Sequence, residues 1–157
     1  MRSKTAWVES GATLGQLYSA IAEKTARYGF PAGVCPTIGV GGHLSGGGLG
    51  LLSRKYGLSA DNVVNALLVD ANGKLVDREG MGEDVFWALR GGGGGSWGVV
   101  IAWKIKLVKL PPKITAFNVP RTGRNEITKL INRWQTIAPS AHEDLYIRAF
   151  VFGGKPE

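Results

Sequence analysis

Cysteine is almost absent. Cys35 is the one thiol in 157 residues, which excludes an intramolecular disulfide and leaves the redox compartment unread. Histidine is nearly as scarce: His43 and His142, with a single cysteine, offer no metal-ligand spacing. No apolar run approaches the ~20 residues a membrane-spanning helix needs, and the start lacks the basic-then-apolar pattern of a signal peptide. Asn-x-Ser/Thr does not occur, so this stretch has no N-glycan acceptor. Gly-Lys-Ser/Thr is missing too, which removes the phosphate loop of nucleotide hydrolases. Acidic residues are few, 12 against 19 basic ones, for a net charge of +7. That balance suits nucleic acid, an acidic polymer or an anionic cofactor. The basic residues are dispersed, however, as at Lys104, Lys106, Lys109, Arg121 and Arg124. No run interleaves them with aromatics in the manner of a single-strand binding surface, so nucleic acid is disfavoured as a partner.

What is present is glycine, 24 residues of it, in a chain otherwise ordinary for a globular protein at 44% hydrophobic and 20% charged. Seven glycines fall in Gly39–Gly50 and six in Gly91–Gly98. Two special loops are implied, not a low-complexity chain. Around them the elements are readable. Ala6–Glu9 predicts a strand. Leu14, Leu17, Ile21 and Ala22 give one helix face behind an N-capping Thr13, with Gly29 as the expected stop. Val63–Asp70 and Lys74–Asp77 predict a hairpin through Ala71-Asn72-Gly73. Glu83–Leu89 predicts a short helix, and the alternation Val99, Ile101, Trp103, Ile105, Leu107 predicts a strand with those residues on one face. Pro111-Pro112 marks a boundary between domains at 1–110 and 111–157. Beyond it, Ile114–Val119 and Leu145–Val151 read as strands and Glu126–Ala138 as an amphipathic helix. The last strand ends without neighbours, which suggests further sequence.

The loops carry the chemistry. Thr37 to Gly48 has so few side chains that ordering it is entropically costly, and close approach of a large ligand is one compensation. Successive N–H groups there can form an anion-binding concavity; the alternative is a plain solvent loop. The second cluster contains Gly-x-Gly-x-x-Gly at Gly93, Gly95 and Gly98, but it follows a helix and opens a strand. The dinucleotide fingerprint does the reverse, so a Rossmann site is disfavoured. Cys35, set between Val34 and Pro36, is either a small buried hydrophobe or an activated thiol. With no signature of a thiol protease, attachment to a cofactor is the other use.

The stretch Phe30-Pro31-Ala32-Gly33-Val34-Cys35-Pro36-Thr37-Ile38-Gly39-Val40-Gly41-Gly42-His43, followed by Ser45-Gly46-Gly47-Gly48, resembles the flavin loop of plant berberine bridge enzyme-like oxidoreductases. Arg54-Lys55-Tyr56-Gly57-Leu58, Asp61-Asn62-Val63, the run Met81 to Gly94 and Ala102 to Leu107 match the same family in the same order. The likeness covers nearly the whole chain and looks strongest to grass-pollen group 4 allergens and cannabinoid-synthase-like members.

The resemblance implies an α+β fold: part of a vanillyl-alcohol-oxidase (PCMH)-type FAD-binding domain, then the start of an antiparallel-sheet substrate domain, with both ends of the parent protein lacking. It implies FAD joined covalently through Cys35. A second link, from a histidine in an Arg-Ser-Gly-Gly-His-type motif, belongs upstream of this chain. Cofactor contacts are implied at Thr37, Gly39, Val40, Gly41, Gly42, His43, Ser45, Gly46, Gly98, Val99 and Val100, with His43 near the flavin N1–C2=O edge. Ile38 would gate oxygen, since a bulky branched side chain there hinders its approach. The family's catalytic base has no counterpart in the chain, and no metal is implied. The expected function is hydride transfer from a small-molecule substrate to anchored flavin, as dehydrogenase or oxidase; the alternative is a catalytically incomplete, allergen-like binding protein. The expected location is secreted, in cell wall or vacuole.

Overall fold

A computed structural model of the chain describes residues 4–153. The fold is α+β, and it divides into two compact units, Met1–Lys113 and Ile114–Glu157.

The first unit is built on a four-stranded antiparallel sheet in the order β1-β5-β3-β4. Its strands are β1 (Thr5–Glu9), β3 (Val63–Val69), β4 (Leu75–Val76) and β5 (Val99–Lys106). Val8 lies opposite Trp103, and Ala66 opposite the same tryptophan on the other side. All three are buried, Trp103 completely, so alternate residues of three neighbouring strands converge on one core. Leu14, Leu17 and Ile21 of α1 (Leu14–Lys24) and Phe86 and Leu89 of α4 (Arg78–Leu89) join it. A two-stranded ribbon, β2 (Tyr28–Gly29) with β6 (Val108–Lys109), returns the chain beside α1.

Several boundaries move from their expected places. Helix α1 has the predicted N-cap, reinforced by a capping box in which Thr13 and Gln16 bond each other's backbone amides. It ends at Lys24 because Thr25 turns extended, not at Gly29. Gly29 is instead a strand residue, and a Cβ there would lie 2.8 Å from Leu110 Cδ1. The glycine serves packing. Helix α4 starts five residues earlier than expected, at Arg78, with Asp77 accepting from the Gly80 amide at 3.1 Å. Gly82, at φ +79°, breaks it into two pieces. The hairpin forms as read: Asp70 Oδ1 accepts from Asn72 and Lys74, and Gly73 takes the one positive φ.

On β5, Trp103 and Ile105 face the core, yet Val99 and Ile101 are exposed. The pairing with β3 shifts register at Leu67/Leu68, so the apolar alternation does not keep one buried face along its length.

In the second unit, α5 (Arg124–Ile137) forms as predicted, behind Gly123. The strands expected at Ile114–Val119 and Leu145–Val151 do not form among the described residues. Alternation supplies a face, but a strand also needs a paired neighbour, and the described residues of this unit supply none. No helix among the described residues is long and apolar enough to cross a membrane.

Candidate functional site

The Cys35 loop is seated on the start of α1. The first two helix amides, which have no partner inside the helix, donate outward: Leu14 N–H to the Ile38 carbonyl and Gly15 N–H to the Pro36 carbonyl, both at 2.9 Å. Gly15 permits this closeness, since a Cβ there would lie 3.0 Å from both Pro36 Cβ and Pro36 O. Cys35-Pro36-Thr37-Ile38 closes as a turn with the proline second, Ile38 N–H reaching the Cys35 carbonyl at 3.4 Å. Downstream, Val40 N–H donates to Ala12 (2.8 Å) and Gly41 N–H to Ser10 (3.1 Å). Both sides of the loop are thereby fixed to residues 10–15.

The outward side is different. Val34, Cys35, Pro36, Thr37, Ile38 and Gly39 are all exposed, and Cys35 is a free thiol. Val34 is 49% and Ile38 41% accessible, so two apolar side chains flank an accessible sulfur on a fixed backbone.

Just before this segment the chain is buried. Pro31, Ala32 and Gly33 sit below the surface, and side chains meet their backbone groups. Ser59 Oγ donates to the Pro31 carbonyl at 2.7 Å, Tyr18 Oη to the Gly33 carbonyl at 2.6 Å, and Gly33 N–H donates to His43 Nε2 at 2.9 Å. Accepting through Nε2 makes the neutral ring carry its proton on Nδ1. Partial burial holds the His43 pKa below the usual imidazole value, and burial pushes the Tyr18 hydroxyl up to about 12.

The glycine-rich stretch is not the string of free amides expected from its composition. Residues Val40–Ser45 form a short helix, α2, with Gly39 as N-cap. The amides of Val40, Gly41, His43, Gly46 and Gly47 are all donated to protein carbonyls. Burial of Val40 and Leu44, one turn apart and both fully inaccessible, outweighs the poor helix propensity of the glycines. Gly39 and Gly42 keep exposed backbone, with open space where a Cβ would stand.

The two glycine clusters meet at Ser45. Its carbonyl accepts from Gly93 N–H at 3.0 Å, and its hydroxyl turns back to the Gly41 carbonyl. Gly98, at φ +136°, leaves no room for a Cβ beside the Val69 carbonyl and lets β5 start against β3. Val99 and Val100 pair with Val69 and Leu68. The structure therefore brings Cys35, Thr37, Ile38, Gly39 and His43 onto one loop–helix junction, ties Ser45 to the second cluster, and bonds Gly46 back to Gly42 within the first. Among the described residues, no hydrogen bond joins Gly98–Val100 to that junction.

Tyr18 and Ser59 were not expected from sequence. Tyr18 lies in a helix whose apolar face was already explained, and Ser59 lies 24 residues beyond Cys35, so neither has a local signal.

A family profile described as FAD binding domain matches residues 2–78. Berberine bridge enzyme-like D-2 of Nicotiana tabacum is 60% identical over 146 residues, which is 92% of this chain and 26% of that protein. The chain is a homologue of the plant berberine bridge enzyme-like proteins. The solved berberine bridge enzyme of Eschscholzia californica superimposes with a TM-score of 0.87 at 60% identity, over 90% of this chain and 28% of that one. Wild-type Phl p 4.0202, described as a glucose dehydrogenase, gives 0.87 at 54% identity over 90% and 29%. An isoleucine-to-valine variant of Phl p 4 is described as a glucose oxidase. This chain thus spans little more than a quarter of the length of the berberine bridge enzyme-like relatives it matches.

Proposed function

We propose that the chain is the flavin-anchoring part of an FAD-dependent oxidoreductase acting on a small organic substrate, with Cys35 as the covalent attachment point. The observation that carries this reading is the accessible thiol on a backbone-locked turn, flanked by exposed Val34 and Ile38. A flat apolar ring system fits such a strip, and the exposed Gly39 and Gly42 leave space for it. When bound, FAD supplies a hydride acceptor and a route for electrons to oxygen or another acceptor.

The residues themselves do the holding. Cys35 offers the sulfur, the nucleophilic form being the thiolate. Thr37 and the backbone of Gly39 and Gly42 face outward beside it. His43, fixed through Nε2, has its Nδ1–H left to donate to a carbonyl or to developing negative charge. Val40, Gly41, Ser45 and Gly46 act from behind, by holding the junction together, and Gly98, Val99 and Val100 line the nucleotide portion. Residues 1–110 belong to the FAD-binding domain and 111–157 to the start of a substrate domain. The base that takes the substrate proton is outside this chain. The location is the secretory route, in cell wall or vacuole.

Ile38 controls access of oxygen. Its branched side chain stands at the exposed end of the Cys35 turn, where one methylene less opens room for a diatomic molecule. The paired descriptions of Phl p 4 as dehydrogenase and, with valine for isoleucine, as oxidase support that reading.

The test is colour and mass. Chain incubated with FAD, then precipitated with acid, should give a yellow pellet and an intact-mass increase of one flavin; Cys35→Ala should give neither. A colourless wild-type pellet favours the rival, a binding protein without flavin chemistry.

A further inference from the structure

Three side chains from three separate elements hold the first and last of the three buried residues immediately ahead of the exposed thiol segment. Ser59 Oγ, on the short turn before Ala60, takes the Pro31 carbonyl, and also reaches the Gly48 carbonyl at 3.1 Å. His43, on α2, accepts the Gly33 amide, and Tyr18, on α1, donates to the Gly33 carbonyl. Ser59 is fully buried and Gly33 is packed on both sides, a Cβ there lying 2.9 Å from His43 Cε1 and 3.5 Å from Leu14 Cδ1. From Val34 onward every residue to Gly39 is exposed.

We infer that Tyr18, Ser59 and His43 form a three-point clamp on Pro31–Gly33 that sets the position of Cys35, which makes Tyr18 and Ser59 positioning residues for attachment at that sulfur. Prolines at 31 and 36 stiffen the chain but leave the two peptide planes on either side of the Gly33 Cα free to rotate. The His43 bond fixes the Ala32–Gly33 plane through its N–H, and the Tyr18 bond fixes the Gly33–Val34 plane through its carbonyl. Its functional meaning rests on the attachment reading above; its structural content does not.

The experiment uses the whole chain and Tyr18→Phe, which removes one hydroxyl and keeps the ring. Hydrogen exchange of amides 32–39 should quicken about tenfold, the size expected for loss of one hydrogen bond to a part-buried carbonyl. Amides of β3 and β5 should keep wild-type rates. Alkylation of Cys35 by N-ethylmaleimide should change in rate, and the fraction of chain gaining covalent flavin should fall. Ser59→Ala should reproduce the local effect from the other end of the clamp. Unchanged exchange and alkylation in both variants would overturn the inference, as would acceleration spread equally over β3 and β5. A loosened loop in Tyr18→Phe, with no flavin adduct even on wild-type chain, would uphold the clamp and sink the attachment reading instead.

Discussion

A missing side chain matters most where another backbone lies against it. Gly11 and Gly15 make a matched pair, two residues upstream and two downstream of the helix cap Thr13. A Cβ on Gly15 would stand 3.0 Å from the Pro36 carbonyl oxygen, whereas nothing lies within 4 Å of one on Gly11. Gly15→Ala should therefore cost about 1–3 kcal/mol, because the Cys35 loop must lift off the helix end. Gly11→Ala should stay within about 0.5 kcal/mol of wild type. Thermal denaturation of both variants checks the contrast, and equal losses would remove the close-approach argument.

Titration at the clamp is also a matter of single residues. His43 has its pKa lowered by burial, so between its folded value and 6.5 the unfolded chain binds the extra proton. Its contribution to stability is complete above 6.5 and is lost as pH falls through the folded value. Asp70 and Glu83, lowered by backbone bonds from Lys74 and by Arg78 respectively, act in the same direction at lower pH. Tyr18 is raised from 10.0 to about 12, so its contribution is complete below 10 and is lost as pH rises through about 12. The thermal midpoint should fall between pH 7.5 and 5.5 and again above pH 10. Tyr18→Phe should remove the alkaline fall while keeping the acid one.

Among elements, α1 was the most legible and α2 the least. Thr13, Leu14, Leu17 and Ile21 state a cap and a face in four letters, and the helix follows. Thr13→Ala should cost about 1 kcal/mol, since it removes the acceptor for Gln16 N–H and one side of the capping box. Urea denaturation gives the number directly. Helix α2 hides because each interior glycine disfavours a helix by about 1 kcal/mol relative to alanine. Its one signal, the buried pair Val40 and Leu44 a turn apart, is too short to outvote Gly41 and Gly42. Reading it as a loop missed its hydrogen bonds, since the amides of Val40, Gly41, His43 and Gly46 are donated to protein carbonyls. Those amides hold the fold together instead of facing a ligand. The strands expected at Ile114–Val119 and Leu145–Val151 failed for the opposite reason: local alternation was present, but pairing is non-local and no letter in the sequence reports its partner.

At the scale of the whole molecule, the core decides what can stand alone. Every residue of the buried cluster, from Val8 to Ile105, lies in the unit Met1–Lys113. The unit Ile114–Glu157 has one described helix of 14 residues with no buried side chain. Isolated helices of that length are marginal in water, whereas a sheet with three converging strands and two helices is not. A chain ending at Lys113 should therefore keep one cooperative thermal transition with a midpoint within about 4 °C of the full chain. Residues 114–157 prepared separately should show little helical circular dichroism. Because Tyr18, His43, Ser59 and Cys35 are all in the first unit, the shortened chain should also keep the wild-type alkylation rate at Cys35. Collapse of the transition on truncation would mean that the second unit contributes to the core from outside the buried cluster, and the thiol's setting would then depend on residues beyond the clamp.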